Sequence, residues 1–525
     1  MAARFFNNAG PSEPAQHYCI DPLRRIRVDE IERLIDAHRY FVLHAPRQTG
    51  KTTCLITLMR HLNAAGKVRC AYANVEDAQA ARGDYTKGIP IVAERIAAGA
   101  QWMSGDLYPQ QILKSVLDET SPGSALSALL AQWSQADPRP LVLLIDEIDS
   151  LVGDTLISVL RQLRGGYTQR PAAFPQSVIL CGVRDVRDYR IHSSDGEIIT
   201  GGSAFNIKAE SLVLGDLTEP EVRELLQQHT DETGQVWTSE AVDEIWRLTQ
   251  GQPWLVNAIA YELTSRRPEG RDRSHRLDLA MVMAAREQLI LRRDVHIDQL
   301  ADKLKEPRVR RVVEPIIQGE VTGAGLAEDD IQYVVDLGLI RLTRGGPVIA
   351  NPIYREVIPR QLTYGAQVEL SALVPTLPFV SPDGSLMLVV VLEQFQQFFR
   401  ENSESWVQRF EYKEAGPQLL LQAFLQRIVN GGGRVDREYG LGRMRTDLMV
   451  AWKRPTGEQR AVIEAKVVRR SREASIAEGL TQTREYMDRC GTPEGHLILF
   501  DARPAQTWEH RIFREEREGI TLWGM

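Results

Sequence analysis

Short apolar runs recur along the first half of the chain, and helical segments separate them. The runs that we predict as strands are the apolar start of YFVLHAPRQTGKTT (40 to 53), VRCAYANVE (68 to 76), the apolar part of LVLLIDEID (141 to 149), SVILCGVRD (177 to 185) and SLVLG (211 to 215). Nearly continuous apolar strands are typical of a parallel sheet that is buried on both faces. The alternation of such strands with helices predicts an α/β fold with a doubly wound parallel sheet.

The first predicted strand runs into a loop with a phosphate-binding pattern. From Ala45 the chain reads APRQTGKT, which fits GxxxxGK[ST] with alanine in place of the first glycine. Gly50 permits close approach of the backbone, while amides and the start of the next helix point at a β-phosphate. We predict that Lys51 neutralises the β and γ oxygens and that Thr52 coordinates Mg²⁺. The residues expected around ATP are Ala45, Pro46, Arg47, Gln48, Thr49, Gly50, Lys51, Thr52 and Thr53.

The run LVLLIDEID (141 to 149) ends in paired acids. A buried parallel strand delivers such carboxylates to the C-terminal edge of the sheet. We predict that Asp146 holds the Mg²⁺ shell and that Glu147 orients and deprotonates the attacking water. An exposed acidic turn is the alternative, which the preceding apolar run disfavours.

Several arginines near this predicted sheet have two interpretations. Arg184 and Asp185 leave the fourth strand, where a polar residue could sense the γ-phosphate, although a surface turn explains them almost as well. Arg161, Arg164 and Arg170 could supply an arginine finger to a neighbouring subunit, but a solvated helix face explains each of them better. We therefore include Arg184 in the predicted nucleotide site and leave the finger unassigned.

Residues 1 to 362 resemble the P-loop ATPases of the AAA-like and STAND-like kind, close to the origin-recognition and archaeal branches. The resemblance includes LTQGQPWLVNAIA (248 to 260), where Gly251, Gln252 and Pro253 match the GxP element of a helical lid. It implies that Pro253 approaches the nucleotide. It also implies ATP and Mg²⁺ as cofactors and a homo-oligomer formed through the ATPase domains.

A winged helix is expected after the lid. EDDIQYVVDLGLIR (328 to 341) resembles a recognition helix, and GGPVIANPIYREVIP (345 to 359) resembles a wing. Between Asp302 and Arg360 the chain carries nine basic and nine acidic residues, so no basic stripe is visible. A DNA-binding role and a structural or regulatory role therefore both stay open.

The last part of the chain begins afresh after a segment rich in proline and glycine, 371 to 384. A helical segment opens it at 386, and a second helix is expected from Tyr412 to Val429. Strands are predicted near RVDREYGLG (434 to 442) and RMRTDLMVAW (443 to 452), and KRPTGEQR (453 to 460) is predicted as a hairpin loop.

The strand RAVIEAKVVRR (460 to 470) carries two opposite charges within an apolar run. Glu464 and Lys466 are two positions apart, so both project to one side of a sheet. With Asp447 beside Glu464 on the adjacent strand, the two carboxylates and the Ala465 carbonyl supply hard oxygen ligands for Mg²⁺. Lys466 would position or deprotonate the water that attacks a phosphodiester. A structural Glu–Lys pair is the alternative.

Residues 386 to 525 resemble the PD-(D/E)XK nuclease superfamily in its RecB-like branch. A helix acid, RTD, EAK and QxxxY follow one another in that order. The resemblance implies catalytic roles for Asp447, Glu464, Lys466, Gln482, Tyr486 and the helix acid Glu414. Glu411 is an alternative for the helix acid, and no proline precedes Asp447, a departure that is common in the superfamily.

Charge near this predicted site favours a nucleic acid. From Arg434 to Arg472 the chain has eleven basic and five acidic residues, and a phosphate backbone would be drawn to them. A solvated arginine-rich rim is the alternative. The net charge of the whole chain, −7, gives no general attraction to nucleic acid.

Composition places the chain among ordinary globular proteins, with 43% hydrophobic and 25% charged residues. Five scattered cysteines without a CxxC pair favour a reducing, cytoplasmic location, and no apolar stretch is long enough for a membrane span. The domains expected are an ATPase core (1 to 215), a lid (216 to 300), a winged helix (301 to 365), a linker (366 to 385) and a nuclease-like α/β domain (386 to 525).

The combination predicts an ATP-dependent or ATP-regulated DNA nuclease. The alternative is a nucleotide switch or mobile-element ATPase whose C-terminal domain binds DNA or a partner without cleaving it. Lys466 weighs against the alternative, because a binding fold has no need of an ammonium beside two acids.

Overall fold

The computed structural model describes most of the chain. The described residues are 4–185, 190–192, 198–200, 208–292, 300, 302–317, 326–362, 379–407, 416–429, 433–437, 447–469, 471–503 and 506–525. They form two compact units, Met1–Leu289 with Asp336–Gly338, and Ile290–Val335 with Leu339–Met525. The finer ranges predicted from the sequence stay predictions.

Strands and helices alternate through the first unit. The strands are β1 (Phe5–Phe6), β2 (His17–Tyr18), β3 (Tyr40–His44), β4 (Arg69–Asn74), β5 (Leu141–Asp146), β6 (Ser177–Gly182), β7 (Arg190–His192), β8 (Ile198–Thr200) and β9 (Lys208–Val213). The helices are α1 (Pro22–Arg25), α2 (Val28–Asp36), α3 (Lys51–Ala65), α4 (Tyr85–Gly99), α5 (Tyr108–Glu119), α6 (Pro122–Gln135), α7 (Gly153–Gly165), α8 (Glu219–Thr233), α9 (Ser239–Thr249), α10 (Pro253–Tyr261), α11 (Pro268–Arg271) and α12 (Leu279–Arg292), whose last residues belong to the second unit.

The main sheet of this unit is parallel and has the order β4-β5-β6-β3-β9. Each of the five apolar runs predicted as strands contributes to it. The strands β4 and β6 end earlier than predicted, at Asn74 and Gly182. The last strand, β9, begins at Lys208, which is three residues before the predicted start.

Helices cover both faces of the sheet, and β5 contributes to both cores. Val142 and Leu144 pack with α2 and α3 on one face. Leu143 and Ile145 pack with α4, α6 and α7 on the other. Because alternate residues of a strand point to opposite faces, a strand between two helical layers is apolar at every position. The arrangement is the doubly wound one predicted from the sequence.

Helices α8 to α10 follow the sheet, and the N-terminal segment packs against them. Trp254 of α10 donates its indole N–H to the carbonyl of Asn8 at 2.8 Å. On the other side of the same segment, the backbone N–H of Ser12 donates to Oγ1 of Thr53 in α3 at 2.9 Å. The N-terminal segment thus touches both the helix after the phosphate loop and the helices after the sheet.

The second unit contains the remaining elements. Its strands are β10 (Ile340–Thr343), β11 (Gly346–Ile349), β12 (Gly433–Arg437), β13 (Asp447–Arg454), β14 (Gly457–Val468), β15 (Gly495–Asp501), β16 (Phe513–Arg517) and β17 (Ile520–Gly524). Its helices are α13 (Pro307–Ile317), α14 (Glu328–Asp336, which ends in the first unit), α15 (Pro352–Leu362), α16 (Leu388–Val407), α17 (Gly416–Val429), α18 (Arg472–Cys490) and α19 (Trp508–Arg511).

The predicted recognition helix, 328 to 341, contains α14 and the start of β10. The predicted wing, 345 to 359, contains β11, which pairs with β10 as an antiparallel hairpin, and then most of the helix α15. The winged helix as a domain stays a prediction. The first turn of α14 carries Glu328, Asp329 and Asp330, which complement the positive end of the helix dipole. Asp330 also pairs with Arg308 at 3.1 Å and with Arg311 at 3.8 Å. Two arginines of this region are therefore neutralised within the protein.

The C-terminal sheet is mixed and has the order β12-β13-β14-β15-β17-β16. The strands β12, β13 and β14 are antiparallel neighbours, and β15 runs parallel to β14. One face of the sheet packs on α16 and α17, with Ile463 and Ala465 of β14 in that core. The other face packs on α18, with Val468 of β14 among its buried residues.

A hairpin lies at the predicted position, but its loop is shorter than the predicted range of 453 to 460. The strands β13 and β14 pair as far as Arg454 and Gly457, which leaves a two-residue loop. Gly457 has a φ of 124°, a conformation that glycine adopts readily, and this permits the tight connection. Part of the predicted linker also packs into a core, because Phe379 is buried with α16 and α17.

In the described part of the chain, no helix is both long enough and apolar enough to cross a bilayer.

Candidate functional site

The loop between β3 and α3 contains two residues with left-handed backbones. Gln48 has a φ of 58° and Gly50 a φ of 93°. Between them, the hydroxyl of Thr49 donates to the carbonyl of Pro46 at 2.8 Å. Left-handed residues within a loop turn successive amides toward a common side, which is how a backbone binds an anion. A Cβ on Gly50 would come within 2.8 Å of the Arg25 guanidinium, so glycine is also favoured by space.

Alanine at the first position of the motif is compatible with this loop. Ala45 is not among the described residues with a positive φ, so the position does not need the freedom of glycine. Its backbone N–H donates to the carbonyl of Gly182 at 3.2 Å, and its side chain is buried. The neighbouring Arg47 is exposed. The departure from the glycine pattern therefore introduces no backbone strain.

Lys51, Thr52 and Asp146 occupy the positions that the motif predicts. The ammonium of Lys51 donates to the carbonyls of Ala45 and Pro46, both at 2.9 Å. The hydroxyl of Thr52 donates to Oδ2 of Asp146 at 2.7 Å. The fully buried Asp146 carboxylate also accepts from the hydroxyl of Tyr72 at 3.0 Å. The sheet thus brings together two residues that are 94 positions apart in the sequence.

These residues fit a magnesium ion. The Thr52 hydroxyl and the Asp146 carboxylate are hard oxygen donors, and they lie side by side where α3 begins and β5 ends. Mg²⁺ in nucleotide sites is held by one or two such groups together with phosphate oxygens and water.

Glu147 follows Asp146 in a left-handed conformation with a φ of 58°. Its pKa is raised to about 7, chiefly by burial and in addition by the negative charges of Asp149 and Asp146, which outweigh the lowering by Lys51 and Arg47. An acid–base group is most effective when its pKa lies near the working pH. Glu147 therefore has both the position and the pKa expected of a general base.

The raised pKa of Glu147 predicts a pH-dependent cost to stability. In the unfolded chain this carboxyl ionises near its usual pKa, whereas in the folded protein it keeps its proton up to about pH 7. The folded state therefore binds more protons over this interval, and stability falls as the pH rises through it. We expect Glu147→Gln to raise the melting temperature relative to the wild type more at pH 8 than at pH 5.

Thermal melting of both proteins without nucleotide checks this expectation. Glu76→Gln is the matched control, because Glu76 is an exposed acid that follows the adjacent strand β4. An equal effect of Glu147→Gln at the two pH values would contradict the prediction.

Arg25 is a contact of the loop that the sequence did not predict. Its guanidinium donates to the carbonyl of Thr49 at 2.7 Å and to the carbonyl of Gly215 at 2.8 Å. It thus ties the phosphate loop to the residues after β9. Arg25 lies 24 residues from Thr49, and no local pattern marks it.

The GxP element meets the loop through its glutamine. Pro253 is buried at the first position of α10, and the side-chain oxygen of Gln252 caps that helix by accepting from the N–H of Leu255 at 2.6 Å. The amide nitrogen of Gln252 lies 3.5 Å from the carbonyl of Gln48. The predicted approach of Pro253 to the nucleotide stays a prediction, and Gln252 is the residue that touches the loop.

The arginines considered for sensing or finger roles lie in different settings. Arg184 is half-buried two residues beyond β6. Arg161 and Arg164 are exposed on α7. The guanidinium of Arg170 stacks 3.4 Å from the centre of the Tyr167 ring, which is a structural contact. The geometry of the described chain thus favours a packing role for Arg170.

In the C-terminal sheet, β13 places Asp447 directly opposite Glu464 of β14. Opposite residues of antiparallel strands project to the same face, with Cβ atoms about 4.5–5.5 Å apart. This face is the one covered by α18, because Glu464 alternates with the residues that pack on α17. The backbone therefore has the register that the sequence predicted, while the Asp447 side chain lies outside the described residues.

Glu464 is a buried carboxylate, 1% exposed. Neither of its oxygens has a hydrogen-bond partner among the described residues. The ammonium of Lys466 lies 3.4 Å from Oε1 of Glu464 and 3.1 Å from Oε1 of Glu478 in α18. The amide nitrogen of Gln482, one turn further along α18, donates to the same Glu478 oxygen at 2.8 Å. Lys466 and Gln482 thus meet at Glu478, and Lys466 also contacts Glu464.

The other residues predicted for this site differ in location and in contacts. The carbonyl of Ala465 accepts from the amide nitrogen of Gln418 in α17 at 3.2 Å, which uses one of its two lone pairs. Tyr486 is buried on α18, four residues after Gln482. Glu414 and its alternative Glu411 lie outside the described residues.

The Glu464 site also fits a divalent cation. A buried carboxylate without hydrogen-bond donors is costly unless a positive charge compensates it. Mg²⁺ compensates such a charge and accepts oxygen ligands from one or two carboxylates. Within the described side chains there is no group of three or more His, Cys, Asp or Glu residues arranged for a metal. A site here would therefore combine Glu464 with backbone or amide oxygens and with Asp447.

Glu478 and Gln418 are the contacts of this site that the motifs missed. Glu478 lies four residues before Gln482, a spacing that puts both on one helix face. That spacing was a usable signal, because EGLTQ places an acid one turn before the motif glutamine. Gln418 had no signal in the sequence.

Comparisons with known proteins give similarities of fold at low sequence identity. No protein-family model matches the chain, and no curated protein matches it either. The Walker-type ATPase of Pyrococcus abyssi is 13% identical over 67% of this chain and 99% of that one, with a TM-score of 0.47. Cdc6p from Pyrobaculum aerophilum is 12% identical over 65% of this chain and 93% of that one, with a TM-score of 0.36.

The RuvB Holliday junction branch migration motor of Thermotoga maritima is a further similar structure. It is 13% identical over 62% of this chain and 91% of that one, with a TM-score of 0.32. The parallel sheet, the loop before α3 and the acid that ends β5 are those of a P-loop α/β protein.

Proposed function

We propose that this protein is an ATP-dependent or ATP-regulated DNA nuclease. MgATP would bind and be hydrolysed at the loop between β3 and α3. Phosphodiester hydrolysis would take place at Glu464 and Lys466 of β14. Nucleotide state would rearrange the lid and the winged helix and thereby load or expose the nuclease.

The contact between Thr52 and Asp146 carries the ATPase part of the proposal, because it joins the two halves of the nucleotide motif. Lys51 would turn from its loop carbonyls to the β and γ oxygens. Thr52 and Asp146 would hold Mg²⁺, which supplies neutralisation of phosphate charge. Glu147 would accept the proton of the attacking water, for which its raised pKa suits it.

The buried Glu464 carboxylate carries the nuclease part. Its oxygens and those of Asp447 are the hard ligands that would hold Mg²⁺, which stabilises charge developing on a scissile phosphate. Lys466 lies 3.4 Å from Glu464, where its ammonium would orient the attacking water. A substrate phosphate would find further positive charge along this segment.

A nucleotide switch without cleavage is the second candidate. One observation favours it, because α14 presents acids in its first turn, and one of them, Asp330, pairs with Arg308 and Arg311. A winged helix of that charge suits a lid better than a DNA interface. This candidate keeps the ATPase and gives the C-terminal domain a binding role only.

A DNA cleavage assay in which Mg²⁺ and ATP are varied independently tests the proposal. Linear and circular DNA are incubated with the full chain, with and without Mg²⁺ and with and without ATP, beside a Lys51→Ala variant. We expect cleavage that requires Mg²⁺ and changes when Lys51 is replaced. DNA binding without cleavage under each condition would favour the switch instead.

A further inference from the structure

We infer that Glu478 is a positioning residue of the C-terminal site. It holds Lys466 and Gln482 together and fixes the side-chain amide of Gln482 so that its oxygen serves as a ligand to a divalent cation or to the water bound on it. The inference rests on the nuclease site proposed above and adds a residue that belongs to none of the motifs.

Glu478 joins two elements of the site through a single oxygen atom. Its Oε1 lies 3.1 Å from the ammonium of Lys466 on β14 and accepts from the amide nitrogen of Gln482 on α18 at 2.8 Å. Lys466 is also within 3.4 Å of Glu464. The ammonium is therefore held between a buried carboxylate of the strand and an exposed carboxylate of the helix.

The contact with Glu478 decides which end of the Gln482 amide is available. An ionised carboxylate only accepts hydrogen bonds, so it selects the amide nitrogen of Gln482 as its partner. The amide oxygen must then point the other way. That oxygen is buried and has no hydrogen-bond partner among the described residues.

Gln482 and Glu464 thus present three buried oxygen atoms that lack hydrogen-bond donors within the described residues. The two side chains are 2% and 1% exposed. Unpaired buried acceptors are costly, and a divalent cation with its bound water satisfies several of them at once. The two residues are linked through Lys466 and Glu478, and both therefore belong to one cluster of side chains.

Because Glu478 is exposed, a positioning role can be distinguished experimentally from a role in stabilising the fold. Its side chain is 57% exposed, and exposed ion pairs contribute little to stability. Groups that orient metal ligands, in contrast, affect metal affinity or activity by about 10- to 100-fold. Replacing Glu478 should therefore change metal binding far more than it changes folding.

Two measurements on the full chain test the inference, with Glu478→Gln as the variant. The first is Mn²⁺ binding by calorimetry without nucleotide, in a Thr52→Ala background that weakens the other cation site. The second is the steady-state cleavage of linear DNA with Mg²⁺ in the wild-type background. Glu485→Gln is the matched control, because Glu485 is an exposed acid on the same helix.

We expect Glu478→Gln to weaken Mn²⁺ binding about 10-fold and to lower kcat by a similar factor. The KM for DNA and the melting temperature should stay near the wild-type values. Glu485→Gln should match the wild type in each measurement. This split between kcat and KM, together with weaker metal binding, is not expected of a residue that only supports the fold.

Other outcomes would overturn the inference, and they are distinguishable from failure of the proposed function. If Glu478→Gln binds Mn²⁺ and cleaves like the wild type while Glu464→Gln loses both, the nuclease stands and the role of Glu478 is refuted. Faster cleavage by Glu478→Gln would mean that Glu478 restrains Lys466. If the Thr52→Ala protein does not bind Mn²⁺ and the wild type does not cleave DNA, both proposals are refuted.

Discussion

Glu147→Gln is expected to bind MgATP with wild-type affinity but to hydrolyse it about 10² to 10⁴ times more slowly. Glutamine keeps the size and polarity of the side chain, so the loop and Asp146 remain in place. It cannot accept the proton of the attacking water. Phosphate release under steady-state conditions and nucleotide binding by calorimetry measure the two effects separately.

The wild-type pH profile provides an independent check on the same residue. The pKa of Glu147 is raised to about 7, so the base is increasingly protonated below that pH. The kcat/KM for ATP should therefore fall as the pH decreases through about 7. A profile that stays flat down to pH 5 would argue against Glu147 as the base.

Two further variants complete the experiment. Lys51→Ala should lose nucleotide binding altogether, because the ammonium is the charge that pairs with the phosphates. Glu76→Gln, at an exposed acid beyond the neighbouring strand, should turn over normally. Normal turnover in Glu147→Gln would place the general base elsewhere, with Glu76 as the next residue to test.

Lys466→Ala is expected to lower Mg²⁺-dependent DNA cleavage by about 10² to 10⁴-fold, the range typical of a lost acid–base group. Asp447→Ala should reduce cleavage at least as far, because it removes a carboxylate opposite Glu464. Truncating Lys466 also leaves Glu464 buried without its nearest positive charge, so melting temperatures must be measured beside activity.

Lys453→Ala is the matched control for these variants. Lys453 is an exposed lysine on β13, the strand that carries Asp447. The substitution Lys453→Ala removes one positive charge from the same sheet but leaves the site intact. Cleavage should therefore be unchanged apart from a small loss of DNA affinity. Wild-type cleavage by both Lys466→Ala and Asp447→Ala would show that the site is wrongly assigned.

Local sequence patterns were sufficient to predict the position of the loop between β3 and α3. The strand β3, the loop and the start of α3 are contiguous, and the glycine at Gly50 takes the left-handed conformation that the pattern requires. The run that became β5 was recognisable because a strand covered on both faces is apolar at each position. The proximity of Thr52 and Asp146 was predictable because parallel strands end at the same edge of a sheet.

The pairing of Asp447 with Glu464 was also predictable, although the hairpin loop was predicted too long. The strands pair without interruption from Arg454 and Gly457 to Asp447 and Glu464, so extending them leaves these two acids opposite each other. Polar residues at the tip of a hairpin resemble a loop, since both are exposed. The pattern of apolar and polar residues therefore predicted the order of the strands correctly but placed the ends of β13 and β14 wrongly.

The sequence by itself determined the order of elements, the parallel α/β core and the residues of the nucleotide and EAK motifs, because each depends on neighbours within a few positions. Only the tertiary structure decided the contacts of Arg25 with the loop and of Glu478 with Lys466. It also decided the raised pKa of Glu147 and the burial of Glu464 without hydrogen-bond donors. The physical reason is that desolvation and long-range contacts depend on which surfaces the folded chain brings together, and no local pattern encodes them.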